Sequence, residues 1–422
     1  MTISILPIAS LLASAFFMLA AGGLAGYLIP LRAVHEGWST FQISLIAAGY
    51  ALSFTFGCFI TPRLVLRVGH VRVFAVLAAL MSISLLMHAL VVDSVAWILF
   101  RGIAGFSIAG GYMVIESWLN ERVNNDTRGT VFSIYMAVSM IAVMAGQFTV
   151  PLGDIGTATL FMIGAIIYAL ALMPTGLSSA QSPQPLTQVS VDLGGLYRKS
   201  PAAAVGSLMA GAVSGSWFNL APVFAQQNGL SNGQGAAMLA VAMVSGALFQ
   251  IPLGRYSDRV DRRYIMALSG AVGCLFCALI LFVGIGNIYL FLAAVFLLGS
   301  VLLPIYALNV AHANDFAQPD EFVAVSGGLL IIYGLGTMLG PLLSGAVMDQ
   351  FGPSSLFAVI GLILATYGGY AYYRTFRRQQ VSEEERSDFQ AMPLTRTQTP
   401  QTYELDPRGD FAADEDSVAA GE

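Results

Sequence analysis

Gly254-Arg255-Tyr256-Ser257-Asp258-Arg259-Val260-Asp261-Arg262-Arg263 puts six charges into ten residues between two long apolar runs. Shifted back by 192 residues, the same window falls on Pro62-Arg63-Leu64-Val65-Leu66-Arg67-Val68-Gly69-His70-Val71, with Arg72 next, again a basic loop between apolar runs. The shift also lays Pro30 on Pro222, Gly37 on Gly229, Ser39 on Ser231 and Gln42 on Gln234. A shift of 194 places Ala142-x3-Gly146-Gln147 over Gly336-x3-Gly340-Pro341. Identities that fall repeatedly at a turn and at the loop that follows point to a duplicated unit rather than to chance among Gly- and Ala-rich helices.

The composition says what is duplicated. The 422 residues are 56% hydrophobic and only 10% charged, with a mean hydropathy of +0.73, which excludes a water-soluble globule. Twelve apolar runs, from 8-31 to 354-374, reach the length of about 20 residues that a helix needs to cross the hydrocarbon core. No stretch sustains the alternation of a barrel strand. The expected fold is an all-α membrane protein of twelve transmembrane helices in two pseudo-symmetric six-helix halves. The halves are residues 1-175 and 201-375; a Pro-, Ser- and Gln-bearing linker, 176-200, joins them, and a tail, 376-422, follows. The opening segment has no Lys or Arg ahead of its apolar run and reads as the first span, not as a cleaved leader.

Basic residues orient the helices. Of 19 Lys and Arg, all but Arg32 and Arg101 fall in loops on one side or in the tail, so that side and both termini are expected to be cytoplasmic. The net charge of -5 is a property of the tail, whose last 44 residues hold 11 acids against 3 bases. That segment is expected to lack a folded core, with Phe376 to Phe389 as a short interfacial helix.

The loop at 254-263 resembles the G-x-x-x-D-R-x-G-R-R signature of the major facilitator superfamily, with Asp261 at the usual glycine. The first-half loop keeps Arg67, Gly69 and Arg72 but has Leu66 where the signature has aspartate. The resemblance covers about residues 8-375, and Glu116-Ser117-Trp118-Leu119-Asn120 with Arg128-Gly129 looks like the YcaD-like bacterial branch. It implies a secondary transporter of a small solute that works by alternating access, coupled to protons, acting as a monomer in membrane lipid of the bacterial inner membrane. The alternatives are a multidrug or metabolite exporter of the same fold, or a polytopic scaffold or enzyme without transport.

An Asp at a helix end can sit against the positive N-terminus of a helix in the other half and bias one access state. The resemblance assigns this latch to Asp258, with Gly254, Arg259, Arg262 and Arg263 around it; alternatively, the arginines only set topology. Arg101, Gly105, Ala109, Tyr112 and Glu116 recur at helical spacing on one face of the fourth span. The resemblance gives Arg101 a role in substrate binding or proton coupling, against that of a snorkelling arginine. Glu116 is either a protonatable gate acid or the structural partner of Arg67 or Arg72. Gln147, Trp217, Asn219, Asn309 and Tyr333 complete the pathway candidates, each of which helix packing could also explain. Gly146, Gly336, Gly340 and Pro341 mark close helix approach or bending. No motif calls for a metal, cofactor, nucleic acid or catalytic centre: Cys274-x2-Cys277 lies mid-span without nearby histidine, and His35, His70, His88 and His312 are scattered.

Overall fold

The structure, a computed structural model, describes residues 6–123, 125–176, 193–318, 321–379, 381, 386–393 and 399–404. The first half contains α1 (Leu6–His35), α2 (Thr40–Val68), α3 (His70–Leu90), α4 (Ser94–Glu121), α5 (Asn125–Thr149), α6 (Thr159–Leu170) and α7 (Leu172–Gly176). After α8 (Leu193–Lys199), the second half contains α9 (Pro201–Gln227), α10 (Asn232–Arg259), α11 (Arg262–Val283), α12 (Ile288–Leu302), α13 (Ile305–Asn314), α14 (Phe322–Phe351) and α15 (Ser355–Thr375). A last short helix, α16, spans Pro400–Glu404. Taking α6 with α7 and α12 with α13, twelve helices among the described residues are long and apolar enough to cross a membrane. Their outer faces carry large apolar side chains such as Phe282 and Leu152, 89% and 84% exposed, a pattern suited to hydrocarbon rather than water.

The repeat is visible in the backbone. Gly37 and Gly229 turn the chain with φ of 76° and 75°, a left-handed conformation that favours glycine. Each turn leads into the same capping box: Ser39 Oγ accepts from Gln42 N and Ser231 Oγ from Gln234 N, both at 3.2 Å. The glutamine side chains return the favour by accepting from the serine N–H groups at 2.9 Å. Two of the orphan donors at each helix start are thereby satisfied reciprocally.

Within each half the first and fifth spans meet at backbone distance. A methyl group added at Gly146 would lie 1.9 Å from the carbonyl oxygen of Ala20, and one at Gly340 would lie 2.1 Å from that of Ala212. Gly336 meets Leu208 O in the same way, and Pro341 packs over Gly215. The two seams, α1 on α5 and α9 on α14, occupy equivalent places in the duplicated units. The halves touch each other mainly through α1 with α9 and α2 with α14.

Three details differ from the sequence reading. The expected linker, 176-200, contains the helix α8, whose Lys199 pairs with Glu321 at the start of α14; residues 177-192 lie outside the described ones. The described residues between Phe376 and Phe389 form no helix: α15 ends at Thr375, and residues 386–393 follow a non-helical path. That path does not leave the protein, because Met392, Thr399 and Thr402 are buried. Side chains of other segments supply the enclosure that the tail's own composition cannot.

Candidate functional site

α4 carries a buried polar column. Arg101 is 7% exposed and lies over the ring of Tyr50 of α2, with 4.2 Å between the guanidinium carbon and the ring centroid. A desolvated cation on an aromatic face is favourable. About three turns along the helix, Tyr112 is in electrostatic range of Tyr50, Tyr135, Tyr168 and Glu116. Glu116 is fully buried and accepts a hydrogen bond from Tyr135 Oη at 3.1 Å. The column thus runs from a cation through tyrosines of α2, α4, α5 and α6 to a carboxylate. The sequence reading identified Arg101, Tyr112 and Glu116 by helical spacing; it missed Tyr50, Tyr135 and Tyr168, which come from other helices and share no local pattern.

Further bonds of Glu116 depart from the expected pairing with Arg67 or Arg72. Thr399 Oγ1 and Thr402 Oγ1 of the tail both donate to it, the latter at 2.9 Å, while Arg67 in the last turn of α2 and Arg72 in the first turn of α3 are exposed. Gly69 makes that turn at φ 83°, and the following His70 packs inward, 3.3 Å from Ser117 Oγ and stacked on Trp118.

In the second half the corresponding loop is a tight charge cluster. Arg262, with no side-chain exposure, sits 2.8 Å from Asp258 Oδ1 and 2.8 Å from Asp315 Oδ2. It also donates to Ser257 Oγ at 2.9 Å and to the carbonyl oxygen of Ser387. Burial pushes the Asp315 carboxyl above the usual carboxylate value, opposed by Arg262 and Ser387. Asp261, where the signature has glycine, caps α11 and grips Arg263 through Nε and Nη2. Burial raises its carboxyl, but the Arg263 bonds and charge outweigh this and leave it below the usual value. Arg263 in turn donates to the carbonyl oxygens of Arg374 and Arg378 at 2.8 and 2.9 Å, tying α11 to the end of α15. Arg259 is exposed. The partners of Asp258 are Arg262 and, from the tail, Phe389 N at 3.3 Å and Arg386 on its backbone oxygen. Among the described residues its partners are thus of its own half and the tail, not a helix N-terminus of the first half. Gly254 faces the ring of Phe389, which occupies the space a Cβ would need.

The opposite end of the bundle joins the halves directly. Asp349, at the end of α14, accepts from Thr40 N and Phe41 N at 2.7 and 3.0 Å, capping α2 from the other half. Tyr27 Oη donates to Asn232 O at 2.6 Å, and Gln227 Nε2 to Thr40 Oγ1 at 3.3 Å. A carboxylate on a helix N-terminus is the arrangement expected of Asp258, found instead at the far end with a residue that sequence reading passed over. Asp349→Ala is expected to weaken this closure by about 1 kcal/mol, roughly fivefold in the equilibrium between states. The rate of labelling of a Ser44→Cys reporter should rise accordingly, and a flat rate would contradict the assignment.

The other candidates are spread through the cores of the halves. Asn309 is fully buried, accepts from Tyr367 Oη at 3.1 Å and packs against Gly206, so it links α13, α15 and α9. Asn219 donates to Gly215 O of its own helix at 2.9 Å. Tyr333 lies 4.5 Å, ring to ring, from Tyr306. Gln147 Oε1 and Trp217 Nε1 are buried without a hydrogen-bond partner among the described residues, so these two keep polar capacity to offer.

A sequence profile of the Major Facilitator Superfamily matches residues 11–239 and, a second time, residues 202–403. The chain belongs to the major facilitator superfamily. An "Uncharacterized MFS-type transporter" of Yersinia pestis is 28% identical to this superfamily member over 346 residues, 81% of this chain and 88% of the relative. The "Uncharacterized MFS-type transporter YcaD" of Escherichia fergusonii is 24% identical over 372 residues, 87% and 95% of the two chains. Among solved structures, a mutant form of the nucleoside transporter NupG superposes with a TM-score of 0.74 at 16% identity, covering 87% of this chain and 99% of that one. A bacterial homologue of the human lysosomal transporter Spinster gives 0.71 at 13% identity, covering 90% and 97%. The fold and the transporter class expected from the duplicated loop therefore stand, and the superfamily is one of transporters, not enzymes.

Proposed function

We propose that this protein is a secondary active transporter, acting as a single chain in the lipid of a bacterial inner membrane, that moves a small solute by alternating access with proton coupling. One observation carries the reading: the halves are pinned together at one end by Asp349, Tyr27 and Gln227, while at the arginine-rich end the chain's own tail lies between Glu116 of one half and Asp258 of the other. That is the asymmetry of one access state. The arginine-rich end, with both termini, faces the cytoplasm. When that end shuts, Asp258 is free to exchange its present partners for a helix terminus of the first half, with Gly254, Arg259, Arg262 and Arg263 supporting it.

The α4 column is the pathway. Arg101 fixes an anionic or strongly polar group of the solute against Tyr50, the tyrosines provide hydroxyls and ring faces, and Glu116 takes the coupling proton. A thermal-shift screen of the purified protein against metabolite libraries identifies the ligand. Arg101→Ala should then lose the shift, with affinity falling about 10- to 100-fold for the loss of a charged hydrogen bond worth about 1.5–3 kcal/mol. Glu116→Gln should keep solute exchange across liposomes and lose flux driven by a pH gradient. Undiminished gradient-driven flux in that variant would remove Glu116 from the coupling path.

A further inference from the structure

Two tail segments, 386–393 and 399–404, are seated in the mouth at the arginine-rich end by contacts with both halves. On the second half, Ser387 offers its carbonyl to Arg262 and its N–H and hydroxyl to Asp315 Oδ1, at 3.2 and 3.1 Å. Arg386 bonds the backbone of Asp258, Phe389 N bonds its carboxylate, and Gln250 Nε2 donates to Met392 O at 2.9 Å. The Phe389 ring fills the space left by Gly254. On the first half, the threonine hydroxyls of Thr399 and Thr402 take one oxygen each of Glu116. Thr399, Gln401, Thr402 and Met392 are each no more than 2% exposed.

The acid that would close this end, Asp258, and the acid at the foot of the pathway, Glu116, are thus both engaged by the tail. A segment wedged between two bodies and holding the closing group of one of them cannot coexist with closure. The two states compete for the same atoms, so each must weaken the other to the same extent.

We infer that the C-terminal segment is a ligand of the protein's own mouth: its seating holds the arginine-rich end parted, covers Glu116 and Tyr112 from that side, and must be undone before the halves rock. The inhibitory consequence rests on the transport reading; the seating does not. The recognition is that of a buried carboxylate for a pair of neutral hydroxyls, backed by an aromatic ring over a side-chain-free position. A negative charge on the threonines would oppose Glu116 directly.

The test uses the full-length chain with a Tyr112→Cys reporter, one helical turn deeper than Glu116, purified in detergent and labelled with a bulky hydrophilic maleimide. Labelling is measured above the background of Cys58, Cys274 and Cys277. With the seated tail, labelling is slow. Adding Thr399→Asp with Thr402→Asp should raise the rate about tenfold or more, whereas Thr399→Ser with Thr402→Ser, which keeps both hydroxyls, should leave it unchanged. Separately, a Gln250→Cys, Met392→Cys pair added to the Tyr112→Cys reporter, with Thr399 and Thr402 unchanged, should form a disulfide under mild oxidation and suppress reporter labelling further. An unchanged rate in the Asp pair, an equal rise in the Ser pair, or failure of the cysteine pair to cross-link would each overturn the inference. None of these readouts needs a transported solute. Absent flux with the expected labelling pattern would sink the transport reading alone; flux with labelling indifferent to the tail would sink the tail alone.

Discussion

Arg262→Met is expected to destabilise the protein by about 3–5 kcal/mol, the usual range for removing one partner from a buried ion pair. The side chain has no exposure, and two carboxylates at 2.8 Å, a serine hydroxyl and a tail carbonyl depend on it. Methionine supplies similar volume and no charge, which leaves Asp315, 4% exposed at its side chain, with Ser387 as its remaining donor. Burial already raises the Asp315 carboxyl above the ordinary value, and without the guanidinium it rises further. The sign follows: in the variant the folded state favours protonated Asp315 more than the unfolded state does. The penalty is therefore relieved as pH falls toward the ordinary carboxylate value and grows as pH rises above it. Thermal unfolding in detergent should show a deficit that is larger at pH 8 than at pH 5. A deficit that ignores pH would mean that Asp315 is not the group left stranded.

The second large effect is steric. Gly146→Val or Gly340→Val forces a branched side chain against a backbone oxygen that the Cβ alone would approach to 1.9 or 2.1 Å. Backbone cannot move aside as a flexible side-chain tip does, so the cost should reach or exceed the upper end of the 1–3 kcal/mol or so typical of overpacking. The expected outcome is loss of the monodisperse peak in size exclusion, or a large drop in melting temperature. Gly26→Ala and Gly369→Ala serve as controls: no atom lies within 4 Å of an added methyl at either position, and alanine is the better helix former by about 1 kcal/mol. If both classes behaved alike, helix propensity rather than the seam would be the operative factor.

Twelve spans and their duplication were legible in the sequence because crossing hydrocarbon demands long uninterrupted apolar runs, and because the duplicated turns kept residues that only certain conformations favour: Gly37 and Gly229 for positive φ, Ser39 and Ser231 with their glutamines for the caps. Hydropathy passes over the break between α6 and α7 and the one before Ile305, since a local bend leaves the apolar run intact. The face of α4 was legible from spacing, but the tyrosines opposite it were not, because α2, α5 and α6 meet there only in three dimensions. Asp349 escaped notice as one acid near a loop; its significance lies in Thr40, more than 300 residues away. Composition misled most in the tail. A segment rich in acids, Thr and Pro cannot build a core, yet Phe389 and Thr399 need none of their own when Gly254 and Glu116 of the helices receive them.

The seams inside the halves and the joints between them differ in kind. Inside, backbone lies on backbone at Gly146, Gly336 and Gly340; between the halves at the pinned end, Gly345 packs on the Ser44 hydroxyl and polar bonds join the two sides, such as those of Asp349, whose side chain is open to water. In the proposed rocking cycle the halves act as two stiff blocks and the joint between them as the softer part. In that cycle, breaking a few solvent-competed hydrogen bonds leaves the block interiors undeformed, so the motion is channelled into one coordinate, the tilt of one block against the other.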